Sequence, residues 1–292
     1  MEMLTMMYKA INYWTFGPRA LEGKYDIVTA MKEAKDAGFS GIELCIAETG
    51  ELTFNTNEKK CKELVAAAKK IGIKISGVAT GVYWGVSPTD PKKSVRDKAA
   101  KLTRQALQVT SWLGAETFLY VPGAVRPEFL PDAAPVPYGD VYKNALAQAK
   151  IAAKFAQKVK VKLCIENVWN MFLYSPVEMR DFIKQVGSPY VGSYFDPANV
   201  VKNGYAEHWI PVLGKMVKRV HIKDYAKNPG GFPQGFEVPL GKGDTPWRVI
   251  IKQLKAVKYN GPLAIEVISF SEDAKRVKRL SKEFDALLAK AK

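Results

Sequence analysis

Apolar positions along the chain alternate between two spacings. Short unbroken apolar runs, the signature of strands buried on both faces, are followed by stretches in which apolar residues recur three and four positions apart, the signature of amphipathic helices. The pattern predicts a strand over 9–15, a helix over 26–37, a strand over 41–46 and a helix over 57–71. It continues with strand 74–80, helix 91–113, strand 116–121, helix 138–159, strand 163–166 and helix 176–186. Strand 190–196, helix 206–217, strand 219–224, helix 246–257, strand 263–267 and helix 272–288 complete it. Ser175-Pro176-Val177-Glu178 carries a hydroxyl cap, a proline at the first helical position and a glutamate placed to return a hydrogen bond. Asp90-Pro91 and Thr245-Pro246 read as similar starts, and Gly38, Gly72, Gly114, Gly187 and Gly261 as helix stops.

Strict alternation of strand and helix demands parallel strands, because each helix must cross back over the sheet. Eight such pairs with no linker or low-complexity stretch between them predict an α/β fold, a closed (β/α)8 TIM barrel, as a single domain over 1–292. An open doubly wound sheet would place a glycine-rich phosphate loop after its first strand, and Tyr13-Trp14-Thr15-Phe16-Gly17-Pro18 is not one.

Composition changes this picture little. A 47% hydrophobic content supports a large core, and no run reaches the roughly 18 apolar residues of a membrane span. The start, Met-Glu-Met-Leu-Thr-Met-Met, has no basic region or cleavage site of a secretion signal. Cys45, Cys61 and Cys164 form no C-x-x-C pair, which fits a reducing compartment, so a cytoplasmic protein without membrane attachment is expected. The net charge of +15 raises nucleic acid as a partner. The basic residues are spread over helices, Lys59, Lys60, Lys62, Lys69 and Lys70 among them, with no aromatic and basic recognition motif, so solvated helix faces are the reading and nucleic acid is not expected.

Candidate chemistry lies at the ends of four strands. Lys162-Leu163-Cys164-Ile165-Glu166, Tyr190-Val191-Gly192-Ser193-Tyr194-Phe195-Asp196, Arg219-Val220-His221 and Leu263-Ala264-Ile265-Glu266 each finish an apolar run on one side chain able to bind a metal. In a parallel barrel those ends open on one face, and Glu166, Asp196, His221 and Glu266 fall on strands five to eight. Three carboxylates and an imidazole carry about −3 without a cation, which a partly buried pocket does not tolerate. The set predicts one divalent metal: the oxygen donors favour Mn²⁺ or Mg²⁺, and the nitrogen leaves Co²⁺, Fe²⁺ or Zn²⁺ open.

The order Glu, Asp, His, Glu on successive strands resembles the xylose-isomerase-like sugar phosphate isomerase/epimerase family, which includes ketose 3-epimerases, ribulose-5-phosphate 3-epimerases and hexulose-6-phosphate isomerase-like proteins. Supporting segments are Ala37-Gly38-Phe39-Ser40-Gly41-Ile42-Glu43-Leu44, Ile165-Glu166-Asn167, Phe195-Asp196-Pro197-Ala198-Asn199, His221-Ile222-Lys223-Asp224 and Val238-Pro239-Leu240-Gly241-Lys242-Gly243. The resemblance implies that the four strand residues hold one metal and that Glu166 and Glu266 are catalytic, moving the proton. Taking a proton from the carbon beside a ketose carbonyl needs a stabilised enediolate; a second carboxylate on the far face then inverts C3, whereas return to a neighbouring carbon gives aldose-ketose isomerisation. C3 epimerisation of a ketose or ketose phosphate is the expected reaction. Free-ketose epimerases tend to carry a histidine where Asn199 stands, and Gly-Glu-Gly where this chain has Gly241-Lys242-Gly243. Both departures bear on the substrate.

The segment 226–244, rich in glycine and proline with Lys227 and Lys242, is placed where barrel enzymes bind phosphate or where a lid would cover an unphosphorylated sugar. Lys223 is a substrate contact or a barrel salt bridge; Asn199 is a further substrate-binding candidate. Trp14, Tyr83, Trp84 and Trp169 are candidates for an apolar wall against the sugar, with Trp14 and Trp169 equally able to plug the barrel mouth. Cys164 reads as core, and His208 as peripheral or part of a contact in a homo-oligomer. Rival functions are a metal-dependent lyase or dehydratase acting on a keto-cyclitol or oxidised glycoside, and a non-catalytic sugar-binding barrel, which would not need both glutamates. A DNA-cleaving multi-zinc barrel needs more histidines than the two present.

Overall fold

A computed structural model describes residues 7–290; residues 1–6, most of the stretch read above for a secretion signal, lie outside the described residues. The strands close into a parallel barrel in sequence order: β1 (Tyr8–Asn12), β2 (Gly41–Ile46), β3 (Lys74–Thr80), β4 (Thr117–Tyr120), β5 (Lys162–Glu166), β6 (Val191–Phe195), β7 (Val217–Ile222) and β8 (Pro262–Ile265). Closure is made by β1 on β8, with Ile11 opposite Ile265. Helices α1 (Pro18–Leu21), α2 (Ile27–Asp36), α3 (Glu58–Ile71), α4 (Lys93–Trp112) and α5 (Tyr138–Val159) precede β5. They are followed by α6 (Pro176–Val186), α7 (Pro197–Val201), α8 (Trp209–Leu213), α9 (Trp247–Ala256) and α10 (Arg276–Lys290). Both sides of each strand are covered, which is why Leu163, Cys164 and Ile165 in β5 are fully buried without alternating with polar residues. No helix among the described residues is long and apolar enough to cross a membrane. Lys59, Lys62, Lys69 and Lys70 are exposed on the outer side of α3, as expected, while Lys60 pairs with Glu51 at 2.8 Å.

The local chemistry moves several boundaries. β1 stops at Asn12 and not near 15, because the Asn12 side chain accepts the Trp14 N–H at 2.8 Å and turns the chain into a single 3-10 turn over Tyr13–Phe16. The capping box at Ser175 and Glu178 forms as read. Asp90-Pro91 does not begin a helix: Asp90 accepts the Lys92 N–H at 2.8 Å, an Asx turn that delays α4 to Lys93. Thr245-Pro246 likewise lacks a side-chain cap, and α9 begins at Trp247. The helix expected over 206–217 is broken into short 3-10 turns around α8, and its last residue, Val217, opens β7. α7, not anticipated, is started by Asp196 itself. Gly261 is not the stop of α9; Lys258 takes the left-handed conformation, and Gly261 leaves room for the Tyr259 ring, whose hydroxyl would lie 2.4 Å from a Cβ there.

Candidate metal and proton-transfer site

Each of the four strand-end residues is delivered by the barrel itself. Glu166 is the last residue of β5, Asp196 follows β6, His221 lies in β7 and Glu266 follows β8. All are buried, at 6%, 0%, 0% and 4% exposure. One donor atom from each lies within 4.8 Å of the others. Two donors on one ion stand at most twice a bond length apart, or about 4–5 Å for bonds of roughly 2.0–2.6 Å, so this quartet has the spacing of a common coordination sphere. His221 Nδ1 faces the cluster, 3.3 Å from Glu166 Oε1 and 3.4 Å from Glu266 Oε2. Asp196 Oδ1 accepts the Asn199 N–H at 3.1 Å, while its Oδ2 has no hydrogen-bond donor. Lys223 Nζ stands 2.6 Å from that oxygen, off the angle of a hydrogen bond, and donates to Glu266 at 2.7 Å. A buried, acid-rich donor set with an ammonium drawn onto its edge fits a cation-binding centre. The residues present therefore suit a divalent ion.

The other face of the histidine reveals a residue that sequence reasoning passed over. His221 Nε2 is 2.8 Å from Glu43 Oε2, and Glu43 is fully buried in β2, across the barrel. Glu43 also accepts from the Asn12 amide at 2.5 Å and from the Tyr194 hydroxyl. Gly77 in β3 makes room for it, since a Cβ there would stand 3.1 Å from Glu43 Oε1. Burial pushes the Glu43 carboxyl up, but the His221 ring, Tyr194 and Asn12 outweigh it and the net shift is down. Burial opposes charging of His221, yet the Glu266 and Glu43 carboxylates hold its proton well above the ordinary imidazole range. Glu166 is pushed up to about 7, chiefly by burial and then by the nearby Glu266 charge, against the pull of His221. Burial also works against the Lys223 ammonium, and the Asp196, Glu266 and Glu166 carboxylates more than compensate, raising it.

Support beneath the cluster is made of amides. Asn167 accepts the Asp196 N–H at 2.9 Å and donates to its carbonyl at 2.7 Å, and Asn199 donates to the Asn167 carbonyl at 3.0 Å. These bonds tie the end of β5 to the start of α7, so the strands that carry Glu166 and Asp196 are held in fixed relation.

Above the cluster opens a cavity of about 820 Å³. Glu166, Glu266, Lys223, Asn199, Trp14 and Trp169 line it. Asp196 and His221 do not; they lie below its floor. Trp84 lines the cavity as expected, but Tyr83 is turned away, its hydroxyl 2.8 Å from Thr103 of α4. Trp169 is both wall and plug, its indole N–H donating to the Asn199 carbonyl at 2.9 Å and its ring packed on Ala198, Val201 and Tyr225. Lys223 makes the salt bridge read for it, spanning two carboxylates, and also lines the cavity. Cys164 is fully buried with its thiol pushed up to about 12 by burial, as befits core. His208 is exposed and lies against Tyr205, with ring centroids 5.3 Å apart.

The closed parallel barrel, with an acidic and imidazole cluster at its C-terminal strand ends, defines the class of TIM barrels, and comparison narrows it. The chain matches the xylose isomerase-like TIM barrel family over residues 31–289 and belongs to it. Its fold is similar to that of D-psicose 3-epimerase from Clostridium cellulolyticum H10, at 18% identity, covering 98% of this chain and 100% of the other with a TM-score of 0.79. It is also similar to 3-keto-D-glucoside 4-epimerase from E. coli, at 15% identity, 97% and 99% coverage and a TM-score of 0.75. The probable 3-DHS dehydratase of Bacillus anthracis shares the fold at 13% identity, 97% and 99% coverage and a TM-score of 0.71. An uncharacterised protein of Methanocaldococcus jannaschii is 19% identical over 262 residues, 88% of this chain and 84% of its own length.

Proposed function

We propose that the protein is a divalent-metal-dependent epimerase or isomerase of a keto sugar, working by proton transfer at the carbon beside the carbonyl, with epimerisation of that carbon, C3 in a 2-ketose, as its reaction. The observation that carries this reading is a division within the quartet: Glu166 and Glu266 line the cavity, whereas Asp196 and His221 are wholly buried beneath it. All four would hold the ion, but only the two glutamates also reach a substrate. A divalent ion, Mn²⁺ or Mg²⁺ by the character of the donors, would supply a Lewis acid that draws charge from the carbonyl as the neighbouring proton leaves.

The chain's own residues do the rest. Glu166 ends β5 and Glu266 follows β8, with β6 and β7 between them, which would let the two carboxylates address a bound sugar from different sides. One carboxylate takes the proton and the other returns one to the opposite face, inverting that carbon. Lys223, between Asp196 and Glu266, would donate to a sugar oxygen, and Asn199 lines the same cavity. Trp14 and Trp169 line the cavity and would form the apolar wall beside the sugar. The names of the neighbours, a ketose 3-epimerase and a keto-glucoside 4-epimerase, are in keeping with this chemistry.

Elimination is the second reading, favoured by the likeness to a dehydratase, and it shares the first proton transfer. The test is to strip the protein with a chelator, reload it with Mn²⁺, Mg²⁺, Co²⁺ or Zn²⁺, and follow ketoses, keto-glycosides and keto-cyclitols by NMR. Interconversion of epimers that needs the metal is expected. Metal-dependent loss of water would replace the assignment with the lyase, and no turnover of any carbonyl compound would overturn both.

A further inference from the structure

We infer that the substrate is a keto sugar carrying a bulky, uncharged, apolar substituent, such as the aromatic aglycone of a keto-glycoside, and not a free or phosphorylated monosaccharide. The inference rests on the proton-transfer reading above and concerns the part of the substrate that does not react.

Size is the first observation. The cavity holds about 820 Å³, in the upper part of the roughly 300–1,000 Å³ range of pockets that enclose ligands of drug-like size. A hexose, with a dozen heavy atoms, would fill only about a quarter of it at the packing density of organic solids, ~0.74. The rest would be water against apolar walls.

The second is the nature of those walls. Beyond the glutamates, a chain of aromatic rings lines the cavity and reaches the exposed Phe232 and Phe270. Trp84 meets Phe129 edge-on at 4.8 Å, Phe129 meets Phe232 at 5.8 Å, and Phe232 meets Phe270 at 6.4 Å. A branch runs from Phe232 through Phe236, at 6.2 Å, to Trp169, at 5.0 Å. The segments after β3, β4, β5, β7 and β8 all contribute. Phe232 and Phe270 remain 41% and 65% exposed, and covering such surface with an apolar group is favourable in proportion to the area removed from water. A sugar ring, with hydroxyls on its rim, covers one aromatic face well but not a ladder of them.

Charge is the third. The carboxylates facing the cavity are Glu166, Glu237, Glu266, Asp273 and Glu283, against the cations Lys223, Arg276 and Arg279. Lys223 is held by Asp196 and Glu266, and Arg279 by Asp273 and Glu283 at 2.5 and 3.8 Å. Lys227 and Lys242, the residues that suggested a phosphate subsite, are exposed and do not line the cavity. Arg276 gives Nη2 to Ser269 and Ser271, and its buried Nη1 has no hydrogen-bond partner. With Glu166 and Glu266 engaged by the ion, the remaining wall is balanced, Glu237, Asp273 and Glu283 against Lys223, Arg276 and Arg279, so it offers no excess of cations to a phosphate dianion, and Arg276 is the place where a phosphate would have to go.

The experiment compares three ligands on the metal-loaded protein: the phenyl and methyl glycosides of a 3-ketohexose, and a ketohexose 6-phosphate. Binding is measured calorimetrically, and deuterium uptake beside the carbonyl is followed in D₂O. The phenyl glycoside is expected to bind at least about tenfold more tightly than the methyl glycoside, the scale set by burying one ring, and Phe232→Ala to reduce that preference to about threefold or less. Equal affinities, or tightest binding by the phosphate with loss in Arg276→Gln, would overturn the inference. The two claims separate cleanly. A phenyl preference without deuterium uptake from any ligand leaves the pocket assignment standing and refutes the proton-transfer reading. Uptake from all three with equal affinity does the reverse.

Discussion

At Glu43, Glu166 and Glu266 the same functional group serves different ends because its surroundings differ. Glu43 is sealed between His221, Tyr194 and Asn12 and has no path to the cavity, so it orients the imidazole and cannot touch substrate. Removing its charge by Glu43→Gln is expected to weaken metal binding by about 10–100-fold, the usual cost of losing a partner behind a histidine ligand; calorimetric titration with Mn²⁺ checks it, and an unchanged affinity would deny the residue that role. Glu266→Gln should act differently. An amide oxygen still ligates but does not accept a proton, so metal binding persists while turnover falls by about 10²–10⁴-fold. A metal-loaded variant with full activity would remove Glu266 from the chemistry. The quartet was legible in sequence because each member ends an apolar run. Glu43 was not, although it too interrupts one, Gly41-Ile42-Glu43-Leu44: its partner lies 178 residues away and only barrel closure joins them. A carboxylate inside a strand with apolar neighbours on both sides was the available signal.

Elements were predicted well where hydrophobic spacing decides them and less well where a side chain competes for backbone N–H groups. Asn12 ends β1 and Asp90 delays α4 by the same means, accepting an N–H two residues on. Asp196 starts α7 immediately beyond β6, where the sequence pattern was read only as a strand end. The segment after β7 shows the effect on a larger scale. Asp224, next to Lys223, accepts N–H groups from Tyr225, Gly241, Gly243 and Thr245 at 2.8–3.2 Å and so pins the glycine-rich segment over the cavity. Gly243 is required there, because a Cβ would stand 2.4 Å from Asp224 Oδ1. Asp224→Ala leaves those donors without an acceptor and is expected to cost about 2–4 kcal/mol, lowering the melting temperature by roughly 5–10 °C for a chain of this size. Thermal unfolding measures it; an unchanged melting temperature would mean that the segment is held by other contacts.

Taken whole, the molecule uses the barrel to bring residues far apart in sequence to one floor, and uses the segments between elements to build the walls above it. The floor follows from strand order, which is why it could be read from the alternation of apolar runs. The walls depend on how residues 81–92, 121–137, 223–246 and 266–275 pack on one another, and their aromatic ladder has no local sequence pattern. The account stands on one claim, that Glu166 and Glu266 both exchange a carbon-bound proton of the same substrate. It is tested by incubating the metal-loaded protein in D₂O with the keto sugar that it turns over and locating the label by NMR and mass spectrometry. Deuterium at the inverted carbon beside the carbonyl, C3 in a 2-ketose or C2 or C4 in a 3-keto-glycoside, is the predicted result; label confined to C1 of a 2-ketose, or no label at all during turnover, would contradict it.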